Sequence, residues 1–109
     1  MIWEMDYLPE VRKDILSLAR NLQIIVEKAL KKVKENPLPK AEGGNGSPLG
    51  HKQGSTLTNL LKIKLRGEGI RIVYKLLRTE TSMLIIVVGV REDEEVYAIA
   101  HKRKTKYDL

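Results

Sequence analysis

Four cations fall within ten positions of this 109-residue chain: Lys62, Lys64, Arg66 and Arg71, in the stretch LKIKLRGEGIRIVY from Leu61 to Tyr74, with a single acid, Glu68, among them. Lys62 and Lys64 are two apart, so both point from the same face of an extended strand. Arg71 can grip phosphate oxygens with two parallel hydrogen bonds, which lysine cannot, and so can Arg91, directly after the apolar run Met83 to Val90. Such a set suits negative charge on a phosphoryl group. RNA can be cut without water or metal when a 2′-hydroxyl attacks its neighbouring phosphate. The transition state then carries extra charge on phosphoryl oxygens, and losing one fixed donor aimed at such charge costs roughly 10²–10³ in rate. The same lysines also suit the solvated face of an edge strand, where they discourage aggregation.

The composition narrows the alternatives. Lys and Arg number 20 against 14 Asp and Glu, a net charge of +6, which favours a polyanionic partner: nucleic acid, an acidic protein or an anionic membrane surface. There is no cysteine, which excludes a disulfide scaffold and a cysteine metal site. His51 and His101 lie fifty residues apart and have no ligand spacing, so neither a metal nor another cofactor is expected. Nor do they form the histidine pair that most metal-free ribonucleases use. The stretch GGNGSPLG lacks the G-K-[ST] ending of a phosphate loop and the strand and helix that would flank one. MIWEMDYLPE carries acids where a signal peptide needs cations, and no apolar run approaches the roughly 20 residues of a membrane span. A soluble cytoplasmic protein with no membrane partner is the expectation.

The elements that must position these residues read as a single α+β domain over 1–109. Ile2 to Leu8 is a short strand. Pro9 suits the first turn of a helix, and Val11, Ile15, Leu18 and Leu22, then Ile25, Val26, Ala29, Leu30 and Val33, recur at helical spacing. The pattern predicts helices over about 9–19 and 21–35, with Asn21 as a cap and Asn36-Pro37 as the stop. Residues 37–59, rich in Gly, Pro, Ser and Asn, read as one long loop. The period then changes to two. Leu61, Ile63 and Leu65 alternate with cations, Gly67-Glu68-Gly69 turns the chain, and Ile70 to Leu77 alternates again. If the register allows, the cations of both strands share a face. Met83 to Val90 is apolar on both sides, as a central strand should be. Asp93 is placed to cap a last helix in which Val96, Ile99 and Ala100 form a core stripe, with Tyr97 and His101 on its flank; the basic tail, about 104–109, is expected to fray.

The pattern K-I-K-L-R-x-x-G-x-R-I-V-Y, then V-G-V-R-E, then E-V-Y-A-x-A-x-K-R, resembles the RelE branch of the RelE/ParE toxins. The resemblance runs through the chain, including ENP at the end of the second helix. It implies a RelE-like fold: N-terminal strand, helix pair, three antiparallel strands completing the sheet, and a C-terminal helix. It also implies the toxin of a type II toxin–antitoxin pair, a ribosome-dependent endoribonuclease that cuts mRNA in the decoding site of the small ribosomal subunit. A cognate antitoxin, usually acidic where it makes contact, would be its protein partner.

Residue by residue, the resemblance implies catalytic roles for Lys62, Lys64, Arg71, Arg91 and Tyr97. Lys52, late in a loop about ten residues longer than the usual RelE pattern, matches a basic residue that helps hold RNA; Arg66, Lys75, His101 and Lys102 are further candidates for RNA or ribosome contact. Tyrosine, with an ordinary pKa near 10, is a poor base at neutral pH, and nearby cations favour its phenolate. Tyr97 is therefore reasonable as base, or as orienting group, because of its neighbours. The general acid stays open between Arg91, Lys62 and Lys64, since arginine hardly gives up its proton. The ParE branch, gyrase inhibitors without nuclease activity, typically lacks the full set. A simple basic nucleic-acid binder is the third reading.

Overall fold

The alternation at Leu61, Ile63 and Leu65 becomes a strand, and a longer one than its apolar residues mark. In the computed structural model, which describes residues 3–52, 55–90 and 92–109, the elements are β1 (Glu4–Tyr7), α1 (Pro9–Leu16), α2 (Arg20–Glu35), β2 (Ser47–Lys52), β3 (Ser55–Leu65), β4 (Ile70–Leu77), β5 (Ser82–Gly89) and α3 (Asp93–Lys106). One five-stranded sheet forms in the order β1-β5-β4-β3-β2. β1 runs parallel to β5, and the other pairs are antiparallel. The RelE-like order of strand, helix pair, antiparallel strands and C-terminal helix is present, with one strand more than expected.

That strand lies inside the stretch read as loop. β2 pairs with β3 at the sheet edge and carries Pro48 and Gly50 at an irregularity in the register. Proline is tolerated on an edge, where its missing N–H breaks no ladder bond, and glycine often marks a bulge; both disguise the strand in the sequence. The approach to β2 is also ordered. Asn36 donates through Nδ2 to the Gly43 carbonyl (3.3 Å), and its own carbonyl accepts from the Asn45 side chain (3.1 Å). Tyr74, fully buried on β4, donates its hydroxyl to the Pro37 carbonyl at 2.7 Å. Gly46 packs against that hydroxyl so closely that a Cβ would lie 2.3 Å from it.

The helix pair breaks at Ser17-Leu18-Ala19. Ser17 Oγ donates to the Asp14 carbonyl (2.7 Å), competing with the helical ladder. α2 then starts at Arg20 with Ala19 in the cap position, and Gln23 Nε2 donates to the Leu18 carbonyl (2.9 Å). Asn21 is therefore not the cap; it sits exposed inside the first turn. α2 buries Val26, Leu30 and Val33. Trp3 and Tyr74 join the core, as expected, with Leu57, Ile70, Ile72, Ile85, Ile86 and Val96.

β1 covers β5 only as far as Tyr7 opposite Ile85. Beyond it, side chains from two helices replace the missing ladder. Asp14 on α1 accepts the Val88 N–H at 3.1 Å, and Arg103 on α3 donates to the Ile86 carbonyl at 3.0 Å. The two also hold each other, Nη1 to Oδ2 at 2.6 Å and Nη2 to Oδ1 at 3.0 Å. The C-terminal segment does not fray. Lys106 and Tyr107 both donate to Glu10 on α1 (2.8 and 2.9 Å), and Lys75 donates to the Leu109 carbonyl (3.1 Å).

Candidate active site

The β3–β4 register decides whether the cations meet. Lys64 lies directly opposite Arg71, and Lys62 opposite Val73. Residues facing one another across a ladder point to the same side, as do positions two apart, so Lys62, Lys64 and Arg71 share a face. The four-residue turn between the strands fixes this register: Leu65 pairs with Ile70, and Gly69 takes φ +69°, a conformation that favours glycine.

α3 crosses this face and completes the group. Lys62 Nζ donates to the Tyr97 hydroxyl at 2.9 Å and lies 5.6 Å from its ring centre. Tyr97 is nearly buried, held by the flanking Val96 and Ala100 stripe. Arg71 donates from Nε to Asp93 Oδ1 at 2.5 Å and from Nη1 to the Gly69 carbonyl at 2.8 Å. Lys64 Nζ donates to Asp93 Oδ2 at 3.3 Å. Asp93 is thus the first residue of α3 rather than its cap, which is Glu92; its carboxylate turns back onto the sheet. The Arg71 guanidinium, and then the Lys64 ammonium, hold that carboxyl below the usual carboxylate range.

Of the expected residues, Lys62, Lys64, Arg71 and Tyr97 come together. Lys75 points to the chain terminus and is committed to the Leu109 carbonyl. Arg66 is exposed at the hairpin turn and Lys102 on α3. His101 is half-buried one turn after Tyr97, and its Nδ1 has no partner among the described residues. Arg91 lies outside the described residues, as do the side chains of His51 and Lys52 at the end of β2. Gly89, two positions before Arg91, is opposite Arg71. The residue that sequence reasoning missed is Asp93. Its signal was present, an acid in the first helical turn following a basic hairpin, but a cap asks for the same residue type. Away from this group, an apolar groove of about 920 Å³ opens between β1, α1 and α2, lined by Tyr7, Leu8, Ile15, Leu16, Val26 and Leu30 among others; none of the cationic group reaches it.

A cationic hairpin face is thus covered by a tyrosine-bearing helix. The chain is 31% identical over 103 residues to the mRNA interferase toxin RelE of Escherichia coli strain K12, covering 94% of this chain and 98% of that one.

This chain belongs to the RelE toxin family.

The structures agree. This RelE-family chain superposes on a mutant of the E. coli RelE toxin in the free state with a TM-score of 0.72 at 31% identity, covering 94% of this chain and 98% of the other. It also superposes on the E. coli RelBE toxin–antitoxin complex, with a TM-score of 0.62 at 27% identity over 83% of this chain and 98% of that one. No protein-family sequence model matches the chain.

Proposed function

We propose that this RelE-family chain is a toxin that cleaves mRNA on the ribosome, within the decoding site, and that a cognate antitoxin neutralises it. Membership of the family supports the interferase reading, and the RelBE complex supports an antitoxin partner. The observation that carries the site is the Lys62–Tyr97 contact at 2.9 Å beside the opposed pair Lys64 and Arg71.

The chemistry follows from that placement. A 2′-oxygen bonds to the adjacent phosphorus, and the bond from phosphorus to the 5′-oxygen breaks. One proton leaves the 2′-hydroxyl and one reaches the departing 5′-oxygen. Lys64 and Arg71 meet the charge that grows on the phosphoryl oxygens; such fixed donors are usually the largest catalytic effect. Tyr97 orients or deprotonates the 2′-hydroxyl. Its oxygen accepts from Lys62, so its own O–H is free for another partner. The acid comes from Lys62, Lys64 or Arg91. Among the described residues the site holds no strong general base, and the ribosome supplies the substrate alignment it lacks. An acidic antitoxin segment would neutralise the same cations.

The test is primer extension on a defined messenger in a purified translation system, with the wild type, Tyr97→Phe and Lys62→Ala. Cuts within the ribosome-occupied codon that fall at least about tenfold in both variants are expected, general acid–base groups contributing roughly 10²–10⁴. Intact messenger with the wild type would overturn the nuclease reading and favour a gyrase-directed or simple binding protein.

A further inference from the structure

One charged group at the site has no part in the chemistry above. The Asp93 carboxylate bridges Lys64 on β3 and Arg71 directly opposite on β4, one oxygen to each. Those two cations are its only ion-pair partners among the described residues. Arg71 has one side of its fork engaged by the Gly69 carbonyl through Nη1. The edge made by Nε and Nη2 is the one left for a bidentate anion, and Asp93 occupies half of it. A phosphodiester entering between Lys64 and Arg71 would place its non-bridging oxygens where the Asp93 oxygens already are. Two anions in contact repel, so the two occupancies exclude each other. Asp93 can leave: its side chain is 37% exposed, and it sits at the first position of α3.

Resting on the reading of this cluster as a phosphate site, we propose that Asp93 is a tethered competitor of the substrate phosphate. In the free protein it fills the anion position between Lys64 and Arg71, and it swings out when an RNA phosphodiester enters. It thereby keeps two catalytic cations aligned without RNA and weakens the protein's hold on any RNA that does not displace it. Asp93 is a positioning and selectivity residue rather than a catalytic one.

The test is equilibrium binding by fluorescence anisotropy, at low salt and neutral pH. The probe is a labelled RNA trinucleotide whose 2′-hydroxyls are methylated, so that it cannot be cleaved. Four full-length proteins are compared: wild type, Asp93→Asn, Asp93→Glu and Glu94→Gln. Asp93→Asn should bind about tenfold more tightly, equivalent to about 1.4 kcal/mol. Asp93→Glu, which keeps the competing carboxylate, and the neighbouring exposed charge control Glu94→Gln should both stay within about twofold. An unchanged or weaker Asp93→Asn overturns the proposal, because Asp93 then aligns the cations without competing. Equal tightening by Glu94→Gln also overturns it, because general charge then explains the effect. Asp93→Ser, which keeps a side chain favourable at a helix start, carries the same test if Asp93→Asn does not fold. The uncleavable probe separates this inference from the nuclease reading. Tighter binding by Asp93→Asn with no cleavage on the ribosome sinks only the nuclease; ribosomal cleavage with unchanged Asp93→Asn binding sinks only the competitor.

Discussion

Two arginine–aspartate pairs join helices to the same sheet, and their surroundings give them opposite characters. Arg103 and Asp14 are each 15% exposed, and both are tied to β5 as well as to each other: two bonds between them, one from the Val88 N–H to Asp14 and one from Arg103 to the Ile86 carbonyl. Arg71 and Asp93 are 13% and 37% exposed, and among the described residues their carboxylate is shared only with a second cation, Lys64. The first pair substitutes for a strand. Removing Asp14 leaves the Val88 N–H without its acceptor and the mostly buried guanidinium without its counter-charge. The second pair holds charge in waiting: breaking it leaves the acid in water and the cations ready for another anion. The same chemical unit is structural where its carboxylate is also tied to backbone, and available where its carboxylate is tied to another side chain.

The largest expected effect is on the available side. Arg71→Ala should lower cleavage of ribosome-bound mRNA by roughly 10²–10³, measured by primer extension, with a melting temperature within a few degrees of wild type. A large loss of stability would instead make Arg71 a structural residue like Arg103. Asp14→Ala should do the reverse. It removes one partner of a mostly buried pair, at a cost of about 3 kcal/mol, lowering the thermal midpoint by more than about 10 °C. Cleavage per folded molecule should be unchanged. Smaller again is Tyr74→Phe, which leaves the Pro37 carbonyl without its buried donor and should cost about 1–2 kcal/mol in denaturant unfolding, again without touching cleavage.

The smallest effect is a pH dependence at the chain's end. Hydrogen bonding from Lys106, helped by Tyr107, holds the Glu10 carboxyl down from 4.5 to about 2. A carboxyl whose folded value is depressed adds stability above its unfolded value and loses it as pH falls through the folded one. The tether between α1 and the end of α3 should therefore weaken between about pH 4.5 and about pH 2, seen as faster amide exchange in residues 104–109, while α1 itself stays protected. Asp93 is depressed in the same direction, so acid should also release Lys64 and Arg71 from it.

How far the sequence could be read depended on whether local pattern or tertiary contact decided each feature. β4 is observed over Ile70–Leu77, the range its alternation marks, because strand period and core burial agree there. Lys62, Lys64 and Arg71 were legible as a group because strand geometry and a short turn place them together. β2 was not legible, because Pro48 and Gly50 read as loop, and only the β3 edge makes them a strand. The C-terminal residues looked like a fraying basic tail, since their anchors, Glu10 and Lys75, lie far away in the chain. Asp93 was recognised as an acid at a helix start, and that local role concealed its bond to cations more than twenty positions earlier. Arg103 closes the E-V-Y-A-x-A-x-K-R pattern, but nothing nearby in the sequence points to Asp14.

The parallel pairing of β1 with β5 has a consequence for how the molecule comes into being. Asp6 meets Ser82 across a sequence separation of 76, and Lys62 meets Tyr97 only through the last helix. Chains are made from the N-terminus, and local pairings such as the β3–β4–β5 meander close sooner than distant ones. β1 must wait for most of the chain to follow it. The tyrosine reaches its lysine later still, when the C-terminal helix is free to fold back. Until α3 has been made and has packed onto the sheet, the cationic face of β3 and β4 stands without Tyr97.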